Sequence, residues 1–110
     1  MNPIRTIIAD DESLAREYLR KLFASCEHVE LVSECRNGIE AVNAIIQYQP
    51  DLVFLDIQMP DLNGFEVIRE IRKETKLPFI IFATAYEQFA LKAFEVSAVD
   101  YLLKPFTEHR

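Results

Sequence analysis

Five short apolar stretches alternate along this chain with segments of helical periodicity, and most of them stop abruptly on a polar residue. Ile4 to Ala9 runs into Asp10 and Asp11, the run from Asp51 stops on Asp56, Phe79 to Ala83 stops on Thr84, and Val99 to Leu103 stops on Lys104. Val29 to Glu34, the second stretch in order, alternates enough to be a more exposed strand. A strand, helix, strand succession repeated in this way calls for right-handed crossovers and a parallel sheet. The expected fold is therefore α/β, a flavodoxin-like doubly wound sheet of five parallel strands in the order 2-1-3-4-5, with a fifth helix truncated or missing after Phe106-Thr107-Glu108.

The intervening segments carry the helices. From Glu12 to Cys26 the spacing of Leu14, Tyr18 and Leu22, with Leu19 beside them, predicts an inward stripe opposite Arg16, Glu17, Arg20 and Lys21. Asn37-Gly38 turns the chain into a second helix with Ile39, Val42, Ile45 and Ile46 inward, and Pro50 stops it. The turn-rich loop QMPDLNG leads to a third helix opened by Gly64, with Phe65, Ile68 and Ile71 inward. Tyr86 to Val96 is expected to be a fourth, with Phe89, Ala90, Ala93 and Phe94 apolar.

Composition narrows the function classes. A chain of 110 residues, half of them hydrophobic, has the size of one domain with a real core. No apolar run approaches the ~20 residues that cross a bilayer, and the N-terminus is not that of a signal peptide, so a cytoplasmic protein without membrane insertion is expected. Eighteen acidic against 12 basic residues leave a net charge of −6, which opposes direct nucleic acid binding by this segment. Cys26 and Cys35 lack zinc-type spacing and read as passive thiols; His28 and His109 read as lone surface histidines.

The strand ends carry the chemistry. Parallel strands would bring Asp10, Asp11, Asp56, Thr84 and Lys104 out along one edge, where open α/β sheets place their ligands. Singly, an Asp of the pair suits a helix cap, Asp56 a turn, Thr84 another cap and Lys104 a solvated loop charge. Together they imply more. Two unit charges ~4 Å apart repel by about 4 kcal/mol at an effective dielectric of ~20, so three crowded carboxylates invite a hard cation, and Mg²⁺, which commonly shares its shell with phosphate oxygens, suits them best. Asp56, after the most apolar strand, is the candidate nucleophile for a phosphoryl group, with Lys104 and Thr84 placed to meet the phosphoryl oxygens.

An acidic pair after the first strand, D-x-x-M-P-x-x-x-G from Asp56, Thr84-Ala85 after the fourth and Lys104-Pro105 after the fifth together resemble the receiver domain of two-component response regulators. The resemblance covers Ile4 to about Phe106 and implies several things at once. Asp56 would be phosphorylated by a sensor histidine kinase, and Asp10, Asp11 and Asp56 would hold Mg²⁺ with the backbone carbonyl of Gln58. Thr84 and Lys104 would contact the phosphoryl group, the Lys104-Pro105 peptide would be cis, and Tyr101 would be a switch aromatic, although an aromatic in a strand is ordinarily core. The stretch AYEQFALKAFEVSAVDYLLKPF is most similar to the LytTR type, whose output is a C-terminal DNA-binding domain.

The expected function is that of a phospho-accepting receiver, residues 1–110 forming the receiver domain with its output domain absent from this chain. Phosphorylation of Asp56 would remodel the face made by the fourth helix and fifth strand, and a homodimer on activation, or through surface left open by the missing helix, is expected. The alternative is a receiver-like module that docks a partner regardless of phosphorylation. A Mg²⁺-dependent phosphatase with an aspartate nucleophile would need a general acid two residues further on, where this chain has the amide Gln58. Self-phosphorylation and its reversal at Asp56, rather than turnover on an external substrate, are therefore expected.

Overall fold

The structure, a computed structural model, describes residues 2–84 and 100–104, with 100–103 described by their backbone. Helix four as expected from the sequence, the Lys104-Pro105 bond, the 106–108 turn, His109 and the side chain of Tyr101 lie outside the described residues.

The described elements run β1 (Ile4–Ala9), α1 (Ser13–Ala24), β2 (Val29–Cys35), α2 (Gly38–Tyr48), β3 (Leu52–Leu55), α3 (Gly64–Glu74), β4 (Phe79–Thr84) and β5 (Asp100–Leu103). All pairings are parallel and the order is β2-β1-β3-β4-β5, as the strand and helix alternation requires. Ala9 lies in register with Cys35 and with Leu55, Leu55 with Phe82, and Thr84 with Leu103, so β1, β3 and β4 end close to one level.

Side chains of a strand alternate between faces, and the sheet uses both. Ile7, Ala9, Val53, Leu55, Ile80 and Phe82 pack with Ala41, Ile45, Phe65, Ile68 and Ile71 of α2 and α3. On the opposite face Ile8 packs with Leu19 and Phe23 of α1, joined by Tyr18, Val29, Leu31 and Phe54. Phe65 and Phe82 meet in a tilted pair at 5.1 Å, and Phe23 and Phe54 do the same on the other side.

Two expected stripes are corrected. In α1 the buried ridge is Leu19 and Phe23, while Leu14 is 78% exposed and Leu22 is exposed as well. In α2 the buried positions are Gly38, Ala41, Ala44 and Ile45, and Ile39 faces solvent. The reason is common to both: a helix packed on a twisted sheet touches it along a narrow line, and the first-turn residues Leu14 and Ile39 lie beyond it. The α3 stripe of Phe65, Ile68 and Ile71 is buried as the periodicity predicts. β4 is core except for its first residue, Phe79, which is exposed.

Candidate functional site

β1 ends on two acidic residues, and the first is drawn into the structure. Asp10 N–H donates to the Cys35 carbonyl at 2.9 Å, so the β1–β2 ladder carries it one residue past the strand. Its Oδ1 accepts from Glu12 N–H at 2.9 Å, folding the chain toward α1. Asp56 is placed by the neighbouring strand in the same way, its N–H donating to the Ala9 carbonyl at 2.9 Å. The two carboxylates therefore emerge side by side and both are buried, whereas Asp11 is exposed.

Asp10, Asp11 and Asp56 each bring an oxygen within 4.8 Å of the others. Lys104, delivered from the end of β5 by a bond from its N–H to the Thr84 carbonyl (2.8 Å), reaches into this group with its side chain only 9% exposed. Its Nζ lies 2.7 Å from Asp10 Oδ2 and 3.1 Å from Asp56 Oδ2, and it also pairs with Glu12 Oε1. Among the described residues Asp10 Oδ2 is buried and its one neighbour of opposite charge is the Lys104 ammonium. Thr84 is fully buried at the end of β4.

Burial dominates the electrostatics of the two inner acids. Asp56 is pushed up to about 6, first by loss of solvent and then by the Asp10 charge, against the pull of Lys104 and the Gln58 N–H, which donates to Asp56 Oδ1 at 3.3 Å. Asp10 is likewise raised by burial, with Lys104 working the other way. For Lys104 burial opposes the ammonium, but Asp10, Glu12 and Asp56 outweigh it and hold the charged form well above its ordinary range. Among the described residues one ammonium stands among four carboxylates, an excess of negative charge. Three carboxylates within reach of one point, two of them buried, fit a hard divalent cation.

The loop after Asp56 is fixed from both sides, and both glycines of the chain are used for it. A Cβ on Gly64 would stand 2.6 Å from the Asp56 carbonyl oxygen, and one on Gly38 would stand 2.2 Å from the carbonyl oxygen of Leu62. Asp61, in a left-handed conformation at φ 63°, accepts from Ile39 N–H at 2.9 Å, tying the loop to the start of α2. Asn63 and Glu66 form a reciprocal capping box that starts α3.

Every site residue expected from the sequence that has a described side chain stands at this edge: Asp10, Asp11, Asp56, Gln58, Thr84 and Lys104. Two participants are additional. Glu12, at the entry to the first helix, engages Lys104. Arg16 donates to the Asp10 backbone carbonyl at 2.8 Å while lying 3.8 Å from Glu34, which in turn is bound by Arg20 at 2.9 Å. A charged residue within two turns after the acid pair is the only sequence signal for either. His28 is exposed and remote from this chemistry, as its sequence context suggests.

Comparison with known proteins agrees with this geometry. Residues 6–110 match the response regulator receiver domain. The chain is 48% identical over 107 residues to the transcriptional regulatory protein BtsR of Salmonella typhi and 47% identical over 107 residues to the sensory transduction protein LytT of Bacillus cereus, covering 97% of this chain each time. It spans 44% of the length of each of these relatives. Among solved structures it is similar to the CheX–CheY–BeF3–Mg complex of Borrelia burgdorferi, with a TM-score of 0.86 at 26% identity over 96% of this chain and 81% of that one. From the motifs, the fold and these matches alike, the chain belongs to the response regulator receiver family, with LytT and BtsR regulators among its relatives.

Proposed function

We propose that Asp56 accepts a phosphoryl group from a phosphohistidine of a sensor histidine kinase, in a Mg²⁺-dependent reaction that switches an output domain. The observation that carries this reading is the meeting of Asp10, Asp11 and Asp56 within 4.8 Å, with the Lys104 ammonium 3.1 Å from Asp56 Oδ2. The carboxylates of Asp10, Asp11 and Asp56, with the Gln58 backbone carbonyl, would hold the ion. When bound, Mg²⁺ supplies positive charge against the carboxylates and the phosphoryl oxygens.

A carboxylate oxygen of Asp56 forms the new P–O bond as the P–N bond breaks and its electron pair leaves with the imidazole. Lys104 then turns a donor to one phosphoryl oxygen, and the Thr84 hydroxyl meets another. Hydrolysis of the acyl phosphate restores Asp56, so the chemistry stays on this side chain. Support for ion and phosphoryl binding comes from the relative bearing Mg²⁺ and beryllofluoride, a phosphoryl mimic.

The wider reading rests on the longer relatives. BtsR is a transcriptional regulatory protein more than twice the matched length, which supports reading residues 1–110 as a receiver unit; the output proposed for it is C-terminal, DNA-binding and of the LytTR type. Activation would turn Tyr101 inward and favour a homodimer through the face of the fourth helix and β5. A transcriptional output would put its work in the cytoplasm, and that is the location proposed for this chain; separately, among the described residues no helix is long and apolar enough to cross a membrane.

Incubation with Mg²⁺ and a small acyl phosphate tests the assignment by intact mass. The parent chain is expected to gain one phosphoryl group and Asp56→Asn none. Equal labelling of the two would overturn it.

A further inference from the structure

Glu12 occupies the N-cap position of α1 in an extended conformation, yet its side chain caps nothing. Its carboxylate, 61% exposed, is directed to the Lys104 ammonium instead. An ammonium has three N–H donors and no acceptor, and among the described residues three carboxylates surround it: Asp10, Glu12 and Asp56. Asp10 and Asp56 also belong to the group of acids that can share a cation, and Glu12 does not. Once those two turn to an ion and a phosphoryl group, Glu12 is the carboxylate left holding Lys104.

We propose that Glu12 is a positioning residue, a latch that holds the Lys104 ammonium and competes with a phosphoryl oxygen on Asp56 for it. The latch rests on the phospho-acceptor reading above. It sets the sign of two effects in opposite directions. Neutralising Glu12 frees Lys104 for an incoming anion and also removes a negative charge from beside the cation site. An exposed ion pair is weak, which limits the size of both effects. A residue that merely supported the start of α1 would weaken both ligands together when altered.

The test is beryllofluoride binding at saturating Mg²⁺, and Mg²⁺ binding alone, for the parent chain, Glu12→Gln, Lys104→Ala and the double variant. Glu12→Gln is expected to bind beryllofluoride about fivefold tighter and Mg²⁺ alone no tighter than the parent. In the Lys104→Ala background the gain from Glu12→Gln disappears, because the latch acts through that ammonium. Unchanged or weakened beryllofluoride binding by Glu12→Gln overturns the latch, as does a gain that persists without Lys104. A parent chain that binds no beryllofluoride overturns the phospho-acceptor reading and the latch with it, whereas a parent that binds while Glu12→Gln matches it overturns the latch alone.

Discussion

Gly64 shows how closely a single residue can be held to the reacting group. Its missing Cβ would face the Asp56 carbonyl oxygen at 2.6 Å, with Ile57 Cα and Phe82 Cε1 each at 3.0 Å, and the first two of these are backbone atoms that cannot rotate aside. Gly64→Ala is expected to cost about 1–3 kcal/mol of stability and to weaken Mg²⁺ binding by shifting Asp56. Urea unfolding and a Mg²⁺ titration check this, and a parent-like midpoint with parent-like affinity would count against it. The gathering of Asp10, Asp11, Asp56, Thr84 and Lys104 is legible in the sequence because the residue after a buried parallel strand has to emerge at the carboxyl edge of the sheet. Glu12 and Arg16 are not legible by that logic. Their directions depend on how α1 leaves the edge, and the local run ADDESLAR is equally compatible with a dipole role for the acid and a solvated role for the base.

At the scale of an element, α1 separates apolar pattern from apolar burial. Leu14, Tyr18 and Leu22 form one stripe and Leu19 and Phe23 another, about one residue apart around the helix. Periodicity alone ranks the first higher because it contains more members. The sheet decides between them: Ile8, Val29, Leu31 and Phe54 offer a narrow strip that Leu19, read as inward from the sequence, and Phe23 fill with Tyr18 beside them, leaving Leu14 in solvent. Leu19→Ala should therefore cost about 2–5 kcal/mol, whereas Leu14→Ala should stay within about 0.5 kcal/mol of the parent. Chemical denaturation of the two variants compares them directly, and the reverse ranking would restore the stripe read from the sequence. α3 raises no such ambiguity, because Phe65, Ile68 and Ile71 are the dominant apolar residues on its face and a capping box fixes where the helix begins.

At the scale of the molecule, stability and site chemistry pull against each other. In the metal-free protein the folded state holds the Asp56 proton up to about pH 6, above the ordinary carboxylate value of 3.8. Between those values the folded state binds more protons than the unfolded one, so stability falls as pH rises through the window, by an amount on the order of 3 kcal/mol. The lowered groups Glu17 and Glu40 act in the opposite sense but at more acidic pH, below their ordinary 4.5. Metal-free parent is thus expected to lose thermal stability between about pH 4 and 6.5, and Asp56→Asn to lose less and to be more stable at neutral pH. Thermal melts in chelator follow both; parallel pH profiles for the two proteins would refute the assignment of the strain to Asp56.

The strand order has a consequence in time as well as in space. Glu12 and Lys104 are 92 positions apart and Asp56 and Lys104 are 48 apart, with Lys104 at the end of the edge strand β5. Because a chain emerges from the ribosome amino end first, Asp10, Glu12 and Asp56 are made before Lys104, the ammonium that pairs with them. A nascent receiver is therefore an unfinished acceptor until its final strand docks.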